Sequence, residues 1–268
     1  MTDSEFAEKL RLLILDLSNK FETAHLGSAL SCTDLLASLF NSQLENYTKQ
    51  NFGNTNDFFI LSKGHAALAL YSALHLKDFL TLQELNTFTL KGSYLEEHPN
   101  PDIPGVEVAS GSLGHGLAVG SGIAMGQKIL GTERKVFVLL SDGECNEGTV
   151  WESAMFASAN KLSNLICLVD LNGWQATGRT TETFGEIKIA ELFEAFRWKT
   201  YAIDGHNFEL INACIGEAKK SKIPTAIICK TIKGKGVDFM EDDNNWHYKS
   251  PNFTELKLAL SQVRKDIK

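Results

Sequence analysis

The chain has 268 residues, of which 43% are hydrophobic, and a formal net charge of −7. A chain of this size and composition can bury one substantial core, and since no linker-like segment divides it we expect a single domain over residues 1–268. The acidic balance argues against nucleic-acid or anionic-membrane partners, which select basic surfaces. No apolar stretch approaches the length of a membrane span, so we expect no membrane partner.

Cysteine usage and the amino-terminal residues indicate the compartment. The five cysteines form neither a CxxC pair nor a spacing typical of a metal site, which favours reduced thiols. The first twenty residues start with acidic side chains and hold no apolar run that ends in a cleavage site. We therefore expect a cytoplasmic protein.

The predicted elements alternate helices with strands from the start of the chain. Apolar residues at helical spacing predict a first helix over residues 4–20. Residues 31–34 resemble a capping box, which would begin a second helix. A short apolar strand over residues 58–61 precedes a helix over residues 66–80, with the sequence SKGH at the turn between them.

The rest of the chain continues this alternation. A loop rich in proline and glycine over residues 92–116 leads into an apolar helix over residues 117–130. The later elements are two strands that end at Ser141 and Asp170, a strand over 199–203, a helix over 208–220, a strand over 225–229 and a helix over 253–263. This order predicts a three-layer α/β/α domain around a mostly parallel sheet.

Two oxygen-bearing side chains follow neighbouring strands. Asp142 and Asn172 lie thirty positions apart, the length of one helical crossover between parallel strands. They would therefore meet at the edge of the sheet where such folds bind ligands, and they suit Mg²⁺ or Ca²⁺. Gly143 would let the backbone approach a diphosphate, and a helix starting near Glu147 would offer its amides to it. Each Asp-Gly or Asn-Gly pair alone is more typical of an ordinary turn, and only the two pairs at this spacing indicate a site.

Five longer segments share a resemblance with one family. SDGECNEG with its later asparagine resembles the thiamin diphosphate motif in its transketolase form, and WESAMFASANKLSNLICLVDLNG continues the likeness. The segments AHLGSALSCTDLLASLF, FILSKGHAALALYSALHL, HPNPDIPGVEVASGSLGHGLAVGSGIAMG and KTIKGKGVDFMEDDNNWHYKSP also match the family in order. The sequence therefore resembles the diphosphate-binding half of a transketolase, a domain of the thiamin diphosphate-binding type.

The resemblance implies a split enzyme. A single-chain transketolase continues into a pyrimidine-binding domain and a C-terminal domain, which we expect on a complementary partner chain, in an assembly of two copies of each chain. Because the glutamate that activates the cofactor belongs to that partner, this chain alone should be inactive. Together the chains would transfer a two-carbon ketol unit from a ketose, or its phosphate, to an aldose, or its phosphate, with thiamin diphosphate and Mg²⁺ or Ca²⁺.

Roles of individual residues are also implied by the resemblance. The metal would be held by Asp142, Asn172 and the backbone carbonyl of Trp174. Cofactor contacts would come from His65, Gly111, the carbonyl of Leu113, Gly143, Glu144, Asn172 and His206. The catalytic group would be His25, His98 and His247, with Glu147 at the subunit interface. Apart from the resemblance, the run from Lys233 to Gly236 looks like a phosphate cradle, but we expect it to form a partner-contacting turn and assign it no catalytic role.

Two alternatives stay open at this point. The α-subunit of a thiamin-dependent 2-oxo acid dehydrogenase or decarboxylase uses the same metal motif but lacks this histidine context. A non-catalytic cofactor-binding subunit would keep the fold without turnover. The sequence also departs from the usual family pattern, since Ser141 replaces the first motif glycine and Glu97 replaces a glycine beside His98.

Overall fold

The computed structural model describes residues 1–264 of the chain. Its centre is a sheet of five strands, which are parallel at every pairing. The strands are β1 (Phe58–Leu61), β2 (Val136–Ser141), β3 (Leu165–Leu171), β4 (Lys199–Asp204) and β5 (Thr225–Lys230), and their spatial order is β1-β2-β3-β5-β4. All five predicted strands are confirmed. They could be predicted because each combines an apolar run with turn residues at its end.

Helices connect and cover the strands. They are α1 (Asp3–Phe21), α2 (Leu26–Ser31), α3 (Thr33–Ser38), α4 (Ala67–Leu76), α5 (Leu82–Leu85), α6 (His115–Leu130), α7 (Gly148–Ala159), α8 (Thr180–Phe184), α9 (Ile189–Ala195), α10 (Phe208–Lys219) and α11 (Phe253–Val263). A π-helical turn (Leu39–Gln43) and 3₁₀ turns (Gly64–Ala66, Gly143–Asn146 and Asn244–His247) complete the elements. Among residues 1–264, no helix combines the length and hydropathy needed to cross a bilayer.

Two buried clusters lie on opposite faces of the sheet. Successive side chains of a strand point to opposite faces, so Phe137 and Leu139 of β2 join the cluster formed with α1, α3, α4, α10 and α11. Val136, Val138 and Leu140 join the other cluster, formed with α6, α7 and α9. The alternation confirms the predicted three-layer α/β/α arrangement.

The predicted capping box at residues 31–34 is wrong. The segment forms two short helices, α2 and α3, and Cys32 at the start of α3 makes no side-chain capping bond. The Asp34 carboxylate instead accepts both terminal nitrogens of Arg11 at 2.7 Å. A buried guanidinium forms two charge-assisted bonds with a carboxylate, which outweigh a local cap to a neutral amide. The helix predicted over residues 66–80 also ends earlier, at Leu76.

Candidate active site

The carboxyl ends of β2 and β3 open into a cavity of about 530 Å³. The pairing of Ser141 with Asp170 puts both strand ends at the same level, so the turns after them share one edge. The cavity collects ten of the residues predicted for the site: His25, His65, His98, Gly111, Leu113, Gly143, Glu147, Asn172, Trp174 and His247. Loops from distant parts of the chain thus meet at one place.

Asp142 is buried at the base of this edge, with a side-chain network that fixes both oxygens. Its Oδ2 accepts the backbone amide of Gly173 at 2.8 Å and the hydroxyl of Thr180 at 3.0 Å, and its Oδ1 accepts the amide of Gly143 at 3.0 Å. Burial raises the pKa of Asp142 to about 6, and the nearby carboxylate of Asp170 adds to the shift. A nearby cation would favour the ionised form.

The turn after β3 orients Asn172 toward the same place. Its Nδ2 donates to Asp170 Oδ2 at 3.1 Å, which leaves the amide oxygen to accept the backbone N–H of Trp174 at 3.0 Å. Since Gly173 donates to Asp142 and Trp174 donates to Asn172, one turn holds both side-chain oxygens. Residues 1–264 contain no cluster of three His, Cys, Asp or Glu side chains suited to a metal. A carboxylate and an amide therefore suit a hard cation only if a ligand supplies further oxygens.

Unsatisfied polar atoms in the cavity also fit a diphosphate ligand. The side-chain amide atoms of Asn146 and the Nε2 of Gln175 are buried without a hydrogen-bond partner among residues 1–264, and both residues line the cavity. Such buried polar groups are rare in folded proteins and indicate a missing polar partner. The donor set, the orphaned amides and the position of Gly143 in the cavity lining together fit thiamin diphosphate with a divalent cation. Neither amide was predicted from the sequence.

Close backbone packing shapes the wall beside His98. Gly111 has φ of 137°, and an added Cβ would lie 2.6 Å from the His98 ring. A Cβ on Gly64 would lie 2.7 Å from the amide nitrogen of Gly111. The SKGH turn and the long glycine-containing loop therefore touch through backbone, and a side chain at either glycine would displace His98 or the turn.

Asp170 and Lys63 form a buried ion pair under the cavity. Asp170 also accepts the hydroxyls of Ser31 and Thr231, and Lys63 Nζ donates to the carbonyl of Ser28 at 3.0 Å. Burial alone would raise the pKa of Asp170, but Lys63 and these hydrogen bonds lower it. A buried ion pair that is held by several further hydrogen bonds is a rigid unit. It joins the SKGH turn to the end of β3.

Three histidines cluster on the cavity wall. The ring centroids of His25 and His247 are 4.9 Å apart, those of His25 and His65 are 5.4 Å apart, and those of His65 and His247 are 6.2 Å apart. Burial lowers the pKa of each of the three, for His247 to about 3. The cluster is therefore neutral at pH 7, and each imidazole offers one donor and one acceptor nitrogen.

Lys233 holds His247 in a defined tautomer, a contact that we did not predict. The Lys233 ammonium lies 2.9 Å from His247 Nδ1 and donates to Asn244 Oδ1 at 2.7 Å. Because an ammonium has no acceptor, His247 Nδ1 accepts and its Nε2 carries the proton. Burial lowers the pKa of Lys233 to about 8, which leaves it charged at pH 7. Lys233 is buried, and it lies in the turn that was predicted over residues 233–236, whose contact with a partner chain stays a prediction.

Glu144 is buried beneath the cavity rather than in its lining. Its Oε1 accepts the Ser62 hydroxyl at 2.5 Å and the Gly114 amide at 2.9 Å, and its Oε2 accepts the Ser141 amide at 2.9 Å. These bonds tie the ends of β1 and β2 to the start of α6. Glu144 thus shapes the cavity from below. Asp142 is likewise buried, and its carboxylate accepts the amide of Gly143, which lines the cavity.

His206 lies away from the cavity. Its Nδ1 is 2.7 Å from Asp34 Oδ2, and its Nε2 accepts the backbone amide of Ile232 at 2.9 Å. The Nε2 is therefore unprotonated, and the proton on Nδ1 is donated to the carboxylate. His206 fastens the segment after β5, which carries Lys233, and it does not reach the cavity lining.

Comparison with known proteins gives the family. Residues 2–258 match the family described as transketolase, thiamine diphosphate binding domain. The chain therefore belongs to the transketolase family.

Named relatives add detail. The chain is 34% identical over 262 residues to a protein of Phocaeicola vulgatus that is named as one subunit of an apulose-4-phosphate transketolase, with 97% of this chain and 93% of that protein aligned. It is 33% identical over 263 residues to a "6-deoxy-6-sulfo-D-fructose transketolase subunit" of Clostridium sp. (strain MSTE9), with 97% and 95% aligned. The crystal structure of the Campylobacter jejuni transketolase superposes with a TM-score of 0.90 at 33% identity, covering 98% of this chain.

Chain lengths separate two kinds of relative. This chain spans 42% of the Campylobacter jejuni transketolase, but it spans more than nine-tenths of the two relatives that are named as subunits. The predicted family, the α/β fold and the correspondence to the N-terminal part of a transketolase, a transferase, are confirmed. Because both short relatives are named as single subunits of a transketolase, their names indicate a complementary chain.

Proposed function

We propose that this chain is the diphosphate-binding subunit of a split transketolase, which transfers a two-carbon ketol unit from a ketose to an aldose. The observation that carries the proposal is the neutral cluster of His25, His65 and His247 in the cavity that Asn172 also lines and that Asp142 underlies through its bond to Gly143. A metal motif alone would equally serve a 2-oxo acid dehydrogenase subunit. Buried neutral imidazoles beside it suit a substrate that carries several hydroxyls.

The cofactor would be held through a cation. We assign Mg²⁺, or Ca²⁺, to Asp142, Asn172 and the backbone carbonyl of Trp174. Gly143, His65, Gly111, Asn146 and Gln175 would surround the diphosphate end, in keeping with the orphaned amides. When bound, thiamin diphosphate supplies carbanion stabilisation, which side chains lack. The carbonyl of Leu113 and the carboxylate of Glu147 lie on the exposed side of the cavity, where a partner could complete the pyrimidine contacts.

The histidines would act on the hydroxyls and carbonyl of the sugar. His247, with its proton on Nε2, can donate to the ketose oxygen as negative charge develops. His25 shares that position through its ring contact and through its amide, which donates to the His247 carbonyl at 2.5 Å. His98 lies on the exposed wall of the cavity. There it can form hydrogen bonds with the sugar hydroxyls that are further from the reacting carbons, or transfer protons to and from them.

The complementary subunit would cover an apolar face next to the cavity. Val119, Ile129, Leu130, Met155 and Phe156, on the packed helices α6 and α7, are each between 40% and 73% exposed. Contiguous exposed apolar patches typically mark interaction sites. Leu113 and Glu147 line the cavity near the start of α6 and α7, and the apolar face extends from there along the two helices to Leu130 at the end of α6. A partner seated here would close the cavity.

We also propose a subunit stoichiometry, a class of donor sugar and a cellular location. Residues 1–268 would form one domain, and two copies would join two partner chains that carry the pyrimidine and C-terminal domains. The relatives act, by name, on apulose 4-phosphate and a sulfo-sugar, so we propose a ketose or ketose phosphate as donor. A cytoplasmic location is supported by the five free thiols.

Reconstitution tests this function. The chain is combined with its complementary subunit, thiamin diphosphate and Mg²⁺, and ketol transfer is followed with a panel of ketoses and ketose phosphates. We expect transfer from the pair and none from this chain alone. Release of carbon dioxide from 2-oxo acids without ketol transfer would favour the dehydrogenase or decarboxylase alternative, and cofactor binding without turnover would favour a non-catalytic subunit.

A further inference from the structure

Tyr248 is a large aromatic side chain in an unusual position for an exposed residue. It is 67% exposed, and it lines the cavity together with the three histidines. Its ring centroid lies 4.7 Å from that of His247 at an angle of 65°, and 6.2 Å from that of His25 at 56°. These separations are typical of favourable edge contacts between rings. The phenol ring therefore rests against the histidines and keeps its other face toward solvent.

The backbone under Tyr248 is held firmly. The Tyr248 amide donates to the carbonyl of Asn245 at 3.3 Å, and the preceding residue, His247, is fixed by Lys233 and by the amide of His25. Tyrosine also has only two rotatable side-chain bonds, so little conformational entropy is lost when it binds a ligand. The ring is thus placed before any substrate arrives.

The hydroxyl and the outer ring face of Tyr248 are available to contact a ligand. Within residues 1–264, no side chain or carbonyl forms a hydrogen bond with its hydroxyl, and the outer ring face is open. A sugar that reaches His25 and His247 with its reacting carbons must extend the remaining carbons toward the cavity mouth. There the C–H face of the sugar can pack on the ring, and a hydroxyl can bond to the phenol.

We infer that Tyr248 is a specificity-determining residue that contacts the carbons of the sugar beyond those at the reacting end, and so favours longer sugars over short ones. The inference rests on the proposed ketol transfer and names the feature by which that site selects its substrate. The ring supplies contact area to any chain long enough to reach it. A two-carbon aldose, which ends at the histidines, gains nothing from it.

The test uses the reconstituted enzyme with bound cofactor, one fixed ketose donor, and unphosphorylated aldose acceptors of two to five carbons. Tyr248→Ala should lower the ratio of kcat/KM for the five-carbon to the two-carbon aldose by about fivefold, the size expected for one aromatic contact. Tyr248→Phe separates the ring from the hydroxyl and should retain most of the ratio. Binding of an unreactive five-carbon sugar alcohol, measured by calorimetry, should weaken by a similar factor in Tyr248→Ala.

A matched control is Phe253→Ala, which removes an aromatic ring that is 66% exposed but does not line the cavity. It should leave the acceptor ratio unchanged. An equal fall in kcat/KM for every acceptor in Tyr248→Ala would overturn the inference while the proposed function stood. So would a loss of association with the partner chain, measured by sedimentation, with an unchanged ratio, because Tyr248 would then be a partner contact. A wild-type pair that transfers no ketol unit would refute the proposed function itself.

Discussion

The two halves of the sheet edge differ in what their strand ends do. At the carboxyl ends of β2 and β3, Asn172 lines a cavity that contains many polar side chains, three histidines among them, and Asp142 lies buried at its base. At the ends of β4 and β5, a second cavity of about 790 Å³ has mostly apolar walls, and His206 at its border is committed to Asp34 and Ile232. Parallel strands end at one edge in both halves.

The difference lies in the turns that follow the strands. The turns after β2 and β3 contain Gly143 and Gly173, and their backbone amides fix Asp142. After β5 the chain instead turns inward to bury Lys233 against His247. The fold thus supplies an edge on which several sites could form, and short-range turn chemistry decides where polar ligands converge. The β4–β5 half of the sheet edge therefore contributes to the site indirectly. It positions the segment after β5, which carries Lys233 and His247.

The strongest test of this comparison removes the carboxylate of the polar half. Asp142→Ala should weaken binding of thiamin diphosphate in the presence of Mg²⁺ by at least about 100-fold, because the cation loses its charged protein ligand. The measurement is a cofactor titration of the reconstituted pair. Asp204→Ala, which removes an exposed carboxylate at the end of β4, is the matched control and should leave the affinity unchanged. Equal affinities for the Asp142 variant and wild type would refute the metal assignment.

The next test concerns the face that borders the polar half. Phe156→Glu on α7 should weaken association with the complementary subunit by roughly tenfold or more, because a charge would be buried in an apolar contact. Sedimentation of mixed subunits measures the effect. Leu258→Glu on α11 changes a side chain of similar exposure, 50% against 45%, on the opposite layer and should not alter association. If both variants assemble like the wild type, the partner binds elsewhere.

The sequence was informative where the signals are local. Apolar runs ending in turn residues located all five strands, and the spacing of Asp142 and Asn172 located the edge of the site. The resemblance brought in the histidines, which no spacing argument could have grouped. Both kinds of signal act through segments that are continuous in the chain.

Contacts between distant segments could not be predicted in the same way. Lys63 and Asp170 are 107 positions apart, and His206 and Asp34 are 172 positions apart. The residues next to Asp34 in the sequence do not indicate that its carboxylate binds a guanidinium and an imidazole instead of capping its own helix. His206 was predicted to bind cofactor, whereas the fold commits both of its ring nitrogens to other residues.

A third prediction separates these two roles of His206. His206→Ala leaves Asp34 with Arg11 alone and the Ile232 amide without its acceptor, so we expect a loss of about 1–2 kcal/mol in the free energy of unfolding. Affinity for thiamin diphosphate should stay within about threefold of wild type, since remote hydrogen bonds affect a site only through its position. Urea unfolding and a cofactor titration give the two numbers. His75→Ala, which removes a single bond to the Leu80 carbonyl, should cost less. A large fall in cofactor affinity without loss of stability would restore the cofactor-binding role.

The smallest expected effect is a pH dependence that originates in the histidine cluster. Burial lowers the pKa of His247 to about 3, with the charge of Lys233 as a further cause, whereas an unfolded histidine titrates near 6.5. Below pH 6.5 the unfolded chain therefore binds a proton that the folded chain does not. The stability due to neutral His247 is fully present above pH 6.5 and is lost as the pH falls from 6.5 toward 3.

Between pH 7.5 and about pH 5.8, the melting temperature of the wild type should consequently fall by roughly 2–4 °C more than that of His247→Asn, the shift that about 1 kcal/mol produces in a domain of this size. The asparagine cannot titrate but can still accept from Lys233, so the comparison isolates the proton. His25, whose pKa burial also lowers, remains in both proteins and contributes equally to both. If the melting temperatures of the two proteins fell equally with pH, His247 would be protonated in the folded protein as readily as in the unfolded one. The cavity wall around His247 would then be open to water and would not keep this histidine neutral.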